Sequence, residues 1–220
     1  MLVKEHLAFV LRDEILSGRL QSGQPIVESK WAARLGVAQA SVREAINILC
    51  WEGYVRKQPG RTARVIMLGD KELRDIYQVR VSLEATAARM VARVAPDLSG
   101  LDQVLADMRS AAECGNLRGY CERDLRFHVL MAELSGNLIL ADYLNRLISP
   151  LFAVLLLRAH VNPPAFERLH QAIARHTRIV DALRSCNPED AEHEITASLE
   201  DIWLGGFDFI LPLAAAAQAG

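Results

Sequence analysis

Apolar residues open the chain at helical spacing: Leu7, Leu11 and Ile15 recur every four positions before Gly18, a natural stop. Residues 18–25 read as a turn, with Gly23 and Pro25 as breakers. A short helix is predicted over 29–35, with Glu28 near its start and Gly36 closing it. A second is predicted over 39–52, ended by Gly53. Between them lies Gly36-Val37-Ala38, the three-residue, glycine-containing turn that a helix-turn-helix requires. Tyr54-Val55-Arg56 and residues 63–67 flank a turn at Gln58-Pro59-Gly60-Arg61, which predicts a β-hairpin, or wing.

From Asp70 onward the period stays helical. Breakers at 96–100, Gly115-Asn116, Gly136-Asn137, Asn162-Pro163-Pro164 and Asn187-Pro188 divide this part into six helices, the first expected to be capped by the Asp70 carboxylate. No strand-like alternation interrupts them. The fold class is therefore mainly α: a winged helix-turn-helix over residues 1–68, followed by an antiparallel all-α bundle over 69–220. The junction near 67–70 is short, so the two parts are expected to be coupled rather than loosely tethered. Gly205-Gly206 are expected to kink or end the last helix, and the Ala-rich tail after Pro212 to fray.

Composition narrows the class. Half of the 220 residues are hydrophobic and only 6% aromatic, which suits a helical core. Cys50, Cys114, Cys121 and Cys186 form no Cys-x-x-Cys pair, an arrangement that fits a reducing cytoplasm rather than a disulfide framework. No apolar run follows a basic stretch at the start, so no signal peptide is expected. The longest uncharged apolar stretch, 147–157, spans eleven residues. A membrane-crossing helix needs about 20, so no membrane partner is expected. Charge is divided unevenly: residues 1–66 hold ten Lys/Arg against six Asp/Glu, whereas 67–220 hold fifteen against twenty-one. A basic head on an acidic body suits a polyanion-binding module beside a separate sensing module.

Wound at about 100° per residue, the 39–52 helix puts Val42, Ala45, Ile46 and Leu49 on one face. Ala40, Arg43, Glu44 and Asn47 lie on or near the other. A DNA-recognition helix needs this division, because the apolar stripe anchors it while its first turns enter the major groove. Gln39, Ser41, Arg43 and Asn47 are the candidate DNA contacts, with Arg61 at the wing tip reaching the backbone or minor groove. Arg43 suits a guanine edge or a phosphate, and Ser41 a phosphate.

The run Glu28-Ser29-Lys30-Trp31-Ala32-Ala33-Arg34-Leu35-Gly36-Val37, followed by Ser41-Val42-Arg43-Glu44-Ala45-Ile46, resembles the DNA-binding domain of the GntR family. Ile15, Gly18, Leu20 and Gly23 match its usual lead-in, and Glu52-Gly53-Tyr54-Val55 its exit. Members commonly carry Ser-Arg-Thr-Pro where this chain has Ala38-Gln39-Ala40-Ser41, so one Arg contact is replaced by Gln39. Gln favours adenine, which implies an atypical operator.

Downstream, Tyr77-Gln78-Val79-Arg80-x-x-x-Glu84, Asp124-x-x-Phe127-His128, Gly136-Asn137 and His176-x-x-Ile179-Val180-Asp181-Ala182-Leu183 resemble the ligand-binding (FCD) domain of the FadR-type branch, in its shorter six-helix variant. Asp124 and His128, at i and i+4, project from one helix face, where they can share a divalent metal, zinc or nickel. His176 closes the site across the bundle. The family's fourth ligand position holds Ser198 here, and His193 lies about 140° away around the helix and cannot substitute. Three states stay open: a metal held by Asp124, His128 and His176 with an open position for an effector carboxylate, a weakly held metal, or a metal-free pocket. Arg80 reads either as a surface salt bridge to Glu84, about 0.3–0.5 kcal/mol, or as an inward clamp on an organic acid; the resemblance favours the clamp.

The resemblance implies a regulator, of repressor type, whose homodimer presents two recognition helices to double-stranded operator DNA. Its partner in the bundle is a small, carboxylate-bearing effector. A helical-bundle metal-dependent hydrolase using Asp124, His128 and His176 is the enzymatic alternative, but no nucleophile or paired carboxylates accompany those residues. A structural interaction protein is the other alternative.

Overall fold

The computed structural model describes residues 2–58, 60–161 and 166–204, of which 158–161 and 202–204 are described by their backbone alone. The Asn162-Pro163-Pro164 breaker, Gly205-Gly206 and the tail after Pro212 lie outside the described residues.

The head comprises α1 (Val3–Leu16), β1 (Pro25–Ile26), α2 (Glu28–Leu35), α3 (Gln39–Trp51), β2 (Val55–Arg56) and β3 (Ala63–Val65). Leu7, Leu11 and Ile15 of α1 pack against Val42, Ala45, Ile46 and Leu49 of α3, so the predicted apolar stripe is the buried one. Fully burying a Leu or Ile contributes about 1.5–3 kcal/mol, so this seam holds α3 while its other face stays in solvent. Gly36 ends α2 at φ +66, a left-handed conformation that tight helix-turn-helix geometry demands and glycine adopts without a steric cost.

The sheet has three strands in the order β1-β3-β2, antiparallel throughout. Pro25, expected to lie in the turn over 18–25, instead joins Ile26 in an edge strand, Pro25 opposite Arg64 and Ile26 opposite Ala63. Two residues carry no readable alternation. Pro at an edge leaves no ladder donor missing, because its nitrogen faces outward.

The body comprises α4 (Asp70–Val94), α5 (Ser99–Glu113), α6 (Leu117–Leu134), α7 (Leu138–Val161), α8 (Phe166–Arg184) and α9 (Pro188–Leu204). These are the six expected helices. The first is capped differently from expectation. Asp70 already lies inside α4, and the extended cap position is Gly69, which has no side chain. Glu72 reaches back instead, accepting the Gly69 N–H at 3.2 Å. The predicted breaker at 96–100 is also shorter, since Ser99 and Gly100 belong to α5.

Leu101, Met108, Phe127, Met131, Leu151 and Ile195 lie in the body's core. Within α7 the segment Leu138–Leu157 has the length and apolarity to cross a membrane, a longer run than the uncharged stretch alone. Here Leu144, Ile148 and Phe152 pack with Ala87 of α4 and Ala132 of α6, as in a core helix.

Head and body touch directly. Tyr54 and Leu157 pack on both cores. Gly53, at φ +82, lies against Pro150 inside α7, and Arg118 of α6 pairs with Asp13 of α1 at 3.5 Å.

Candidate DNA-reading face and metal centre

Gln39, Arg43 and Asn47 are exposed on α3, and Ser41 is half-buried at its start. Arg61 is exposed at the wing, where its backbone N–H donates to Gln58 O. Two of these side chains share a partner that sequence reasoning did not assign. Glu28, the first residue of α2, accepts from Gln39 Nε2 at 3.2 Å and Arg43 Nε at 3.0 Å on one oxygen, and from Lys57 Nζ at 3.2 Å on the other. Burial pushes the Glu28 carboxyl up, but these three donors outweigh it and leave the net shift downward. Lys57 follows β2 and ties the wing to the same point. Only its place beside the Gln58-Pro59-Gly60 turn hinted at such a role.

In the body, a chain of buried polar groups crosses three helices. Arg80 of α4 is 2% exposed and Glu84, one turn on, fully buried. Arg80 thus points inward rather than lying on the helix surface. Its Nε donates to Glu84 Oε1 at 2.6 Å, and its guanidinium lies 5.3 and 5.4 Å from the Tyr77 and Phe152 ring centres. Glu84 Oε2 is 2.6 Å from His128 Nδ1 on α6. Burial alone would raise the Glu84 pKa, yet Arg80 and His128 bring it down to about 2.

At the end of this chain Asp124, His128 and His176 converge. His176 Nε2 stands 3.0 Å from Asp124 Oδ1 and 3.3 Å from His128 Nε2, and His128 Nε2 is 3.3 Å from Asp124 Oδ1. The outer nitrogens fix the tautomers: His128 Nδ1 faces a carboxylate, and His176 Nδ1 faces the Ala172 carbonyl at 2.7 Å. Each Nδ1 therefore carries hydrogen, and both Nε2 lone pairs turn toward Asp124. Asp124 Oδ1 is buried without a hydrogen-bond partner of good geometry. Three acceptors facing one point ask for a cation. Tetrahedral nitrogen and oxygen ligands at about 2.0–2.1 Å stand about 3.3 Å apart, which matches these three edges, so the donor set fits a divalent metal.

Without a metal, a proton serves. Burial lowers the His128 pKa, but Glu84 and Asp124 overcome it and the net shift is upward. Burial likewise raises the Asp124 pKa, and the two imidazoles pull it well below the ordinary carboxylate range. The cluster draws on α6 and α8 alone among the described residues. Ser198 is buried on α9, whereas His193 is exposed.

Comparison with known proteins agrees with both halves. The pattern described as "Bacterial regulatory proteins, gntR family" matches residues 4–65, and the FCD domain matches residues 75–201. A probable D-xylose utilization operon transcriptional repressor of Paenarthrobacter nicotinovorans is 32% identical over 187 residues, covering 83% of this chain and 79% of that protein. The gluconate operon transcriptional repressor of Bacillus licheniformis is 26% identical over 209 residues, covering 90% and 85%. Among solved structures, a GntR transcriptional regulator from Rhodococcus sp. RHA1 superposes with a TM-score of 0.75 at 24% identity, over 92% of this chain and 96% of that one, which is a likeness of fold. The chain is a transcription regulator rather than an enzyme, and it belongs to the GntR family, in the branch that carries an FCD domain.

Proposed function

We propose that this regulator is a repressor whose operator affinity is set by a small carboxylate bound in the bundle beside a divalent metal, zinc or nickel, held by Asp124, His128 and His176. The observation that carries this reading is the buried Asp124 oxygen, left without a good hydrogen bond between two imidazole lone pairs. Three protein ligands leave tetrahedral zinc one open position, the arrangement that lets a metal accept an exogenous oxygen. Arg80 supplies positive charge to the same buried network and is assigned to the effector. Because Glu84 already holds its Nε, the effector would meet the other guanidinium nitrogens. Repression is the role that the xylose and gluconate relatives' names give to those proteins.

In this reading residues 1–68 form the DNA-binding domain and 69–220 the effector and dimerisation domain, in a cytoplasmic homodimer on double-stranded operator DNA. Gln39, Ser41, Arg43, Asn47 and Arg61 are assigned to DNA, with Gln39 favouring adenine. Leu138 and Ile139, each 72% exposed, and Tyr143 form an apolar surface at the start of α7 that suits burial against a second copy. Two recognition helices would then meet a pseudo-palindromic site.

Thermal shift against small organic acids, with and without zinc or nickel, tests the proposal. Metal should raise the melting temperature, and the right acid should raise it further only in metal-loaded protein. That acid should also change operator affinity by about 5–150-fold, the usual range of allosteric coupling. Elemental analysis of untagged protein showing no metal, with no response to added metal, overturns it.

A further inference from the structure

We infer that Glu28 determines which bases the recognition helix reads, by orienting Gln39 and Arg43 rather than by touching DNA itself. The inference rests on the DNA-reading assignment above and concerns how it is tuned. Glu28 sits at the start of α2 with its side chain 17% exposed. There the positive end of the helix dipole favours a carboxylate. From that fixed point it holds Gln39, Arg43 and Lys57 together, joining the recognition helix to the wing.

The chemistry of each bond sets what is left for DNA. A carboxylate only accepts, so the Gln39 amide must turn its NH2 inward and its Oε1 away. That leaves one acceptor and one remaining N–H, the pair that matches adenine, whereas guanine shows only acceptors in the major groove. Arg43 gives its Nε to Glu28, and its two terminal nitrogens have no partner among the described residues. Those two donors suit the O6 and N7 of guanine. Glu28 also cancels one of the two positive charges beside it, which weakens attraction to phosphates of any sequence. Pinned side chains and reduced general attraction act in the same direction, toward discrimination.

The test uses the full-length protein. Wild type is first put through binding selection from random duplexes, and the enriched duplex and a scrambled one are then titrated across KCl concentrations. Glu28→Gln, whose carboxamide accepts either orientation of the Gln39 amide, should lower the enriched-to-scrambled affinity ratio at least about tenfold. Scrambled binding should hold or tighten, with a salt slope steeper by about one. Glu28→Asp keeps the charge but shortens the reach, and should lower the ratio with the slope unchanged. In a Gln39→Ala/Arg43→Ala background, Glu28→Gln should no longer alter the ratio. An unchanged ratio in the wild-type background, an equal loss on both duplexes, or a further loss in the double background each overturns the inference. Failure of wild type to enrich any duplex would instead overturn the DNA-reading assignment, and the inference with it.

Discussion

One carboxylate oxygen of Glu84 stands 2.6 Å from His128 Nδ1 while its other oxygen lies 2.6 Å from Arg80 Nε, so a single buried acid joins the guanidinium of α4 to the imidazole of α6. A carboxylate behind a metal-binding histidine fixes ring and tautomer and raises the ligand's basicity. Glu84→Ala leaves Arg80 buried without its counter-charge and should cost about 3–5 kcal/mol of stability in urea unfolding. Glu84→Gln keeps the shape and should weaken zinc or nickel binding about 10–100-fold by isothermal titration.

The metal-free protein should be most stable between about pH 4.5 and 6.5. Glu84, brought down from 4.5 to about 2, contributes stability above its ordinary value that is lost as pH falls toward 2. His128, shifted upward from 6.5, contributes stability below that value, lost as pH rises through its value in the fold. A metal needs the His128 Nε2 lone pair and must displace its proton. Metal uptake should therefore strengthen with rising pH, and the gain in melting temperature on adding zinc should be larger at pH 8 than at pH 6.

Arg43 and Arg61 should fail differently on DNA. Arg43→Ala, on the recognition helix, should cost about 1–3 kcal/mol on the preferred duplex and relax the choice of base at one position. Arg61→Ala, at the wing, should weaken all duplexes about equally and lower the salt slope by about one. Equal behaviour of the two variants in anisotropy titrations would remove the distinction.

Gly53 should be intolerant of any side chain. Its φ of +82 is strained for other residues, and a Cβ would stand 2.6 Å from the Pro150 nitrogen. The left-handed conformation alone costs about 1–2 kcal/mol, and the clash adds to it by forcing head and body apart. Gly36→Ala meets the same conformational cost at φ +66 with open space around the added carbon. Chemical denaturation should show Gly53→Ala clearly the more damaging of the two.

Much of the head could be read from residue spacing. Val42, Ala45, Ile46 and Leu49 share one helical face whatever surrounds them, and they are the residues buried in α3. Asp124 and His128 share a face for the same reason. Pro25–Ile26 could not be read as a strand, because two residues have no period of their own and acquire their state from β3. The cap of α4 escaped because Asp70 and Glu72 are equally plausible acids until the backbone shows which residue precedes the first turn.

Local geometry, then, set the helices, the tight turn at Gly36 and the pairing of polar groups one turn apart, since a backbone with 3.6 residues per turn places neighbours without help from the rest of the chain. Convergence was decided elsewhere. His176 meets His128 across 48 positions, Glu84 meets it across 44, and Glu28 gathers Lys57 from 29 positions away. No periodicity carries such distances, because they depend on which helix faces pack together and at what rotation. It was the packing of α4, α6 and α8 that turned two histidines and three charged residues into one connected buried network.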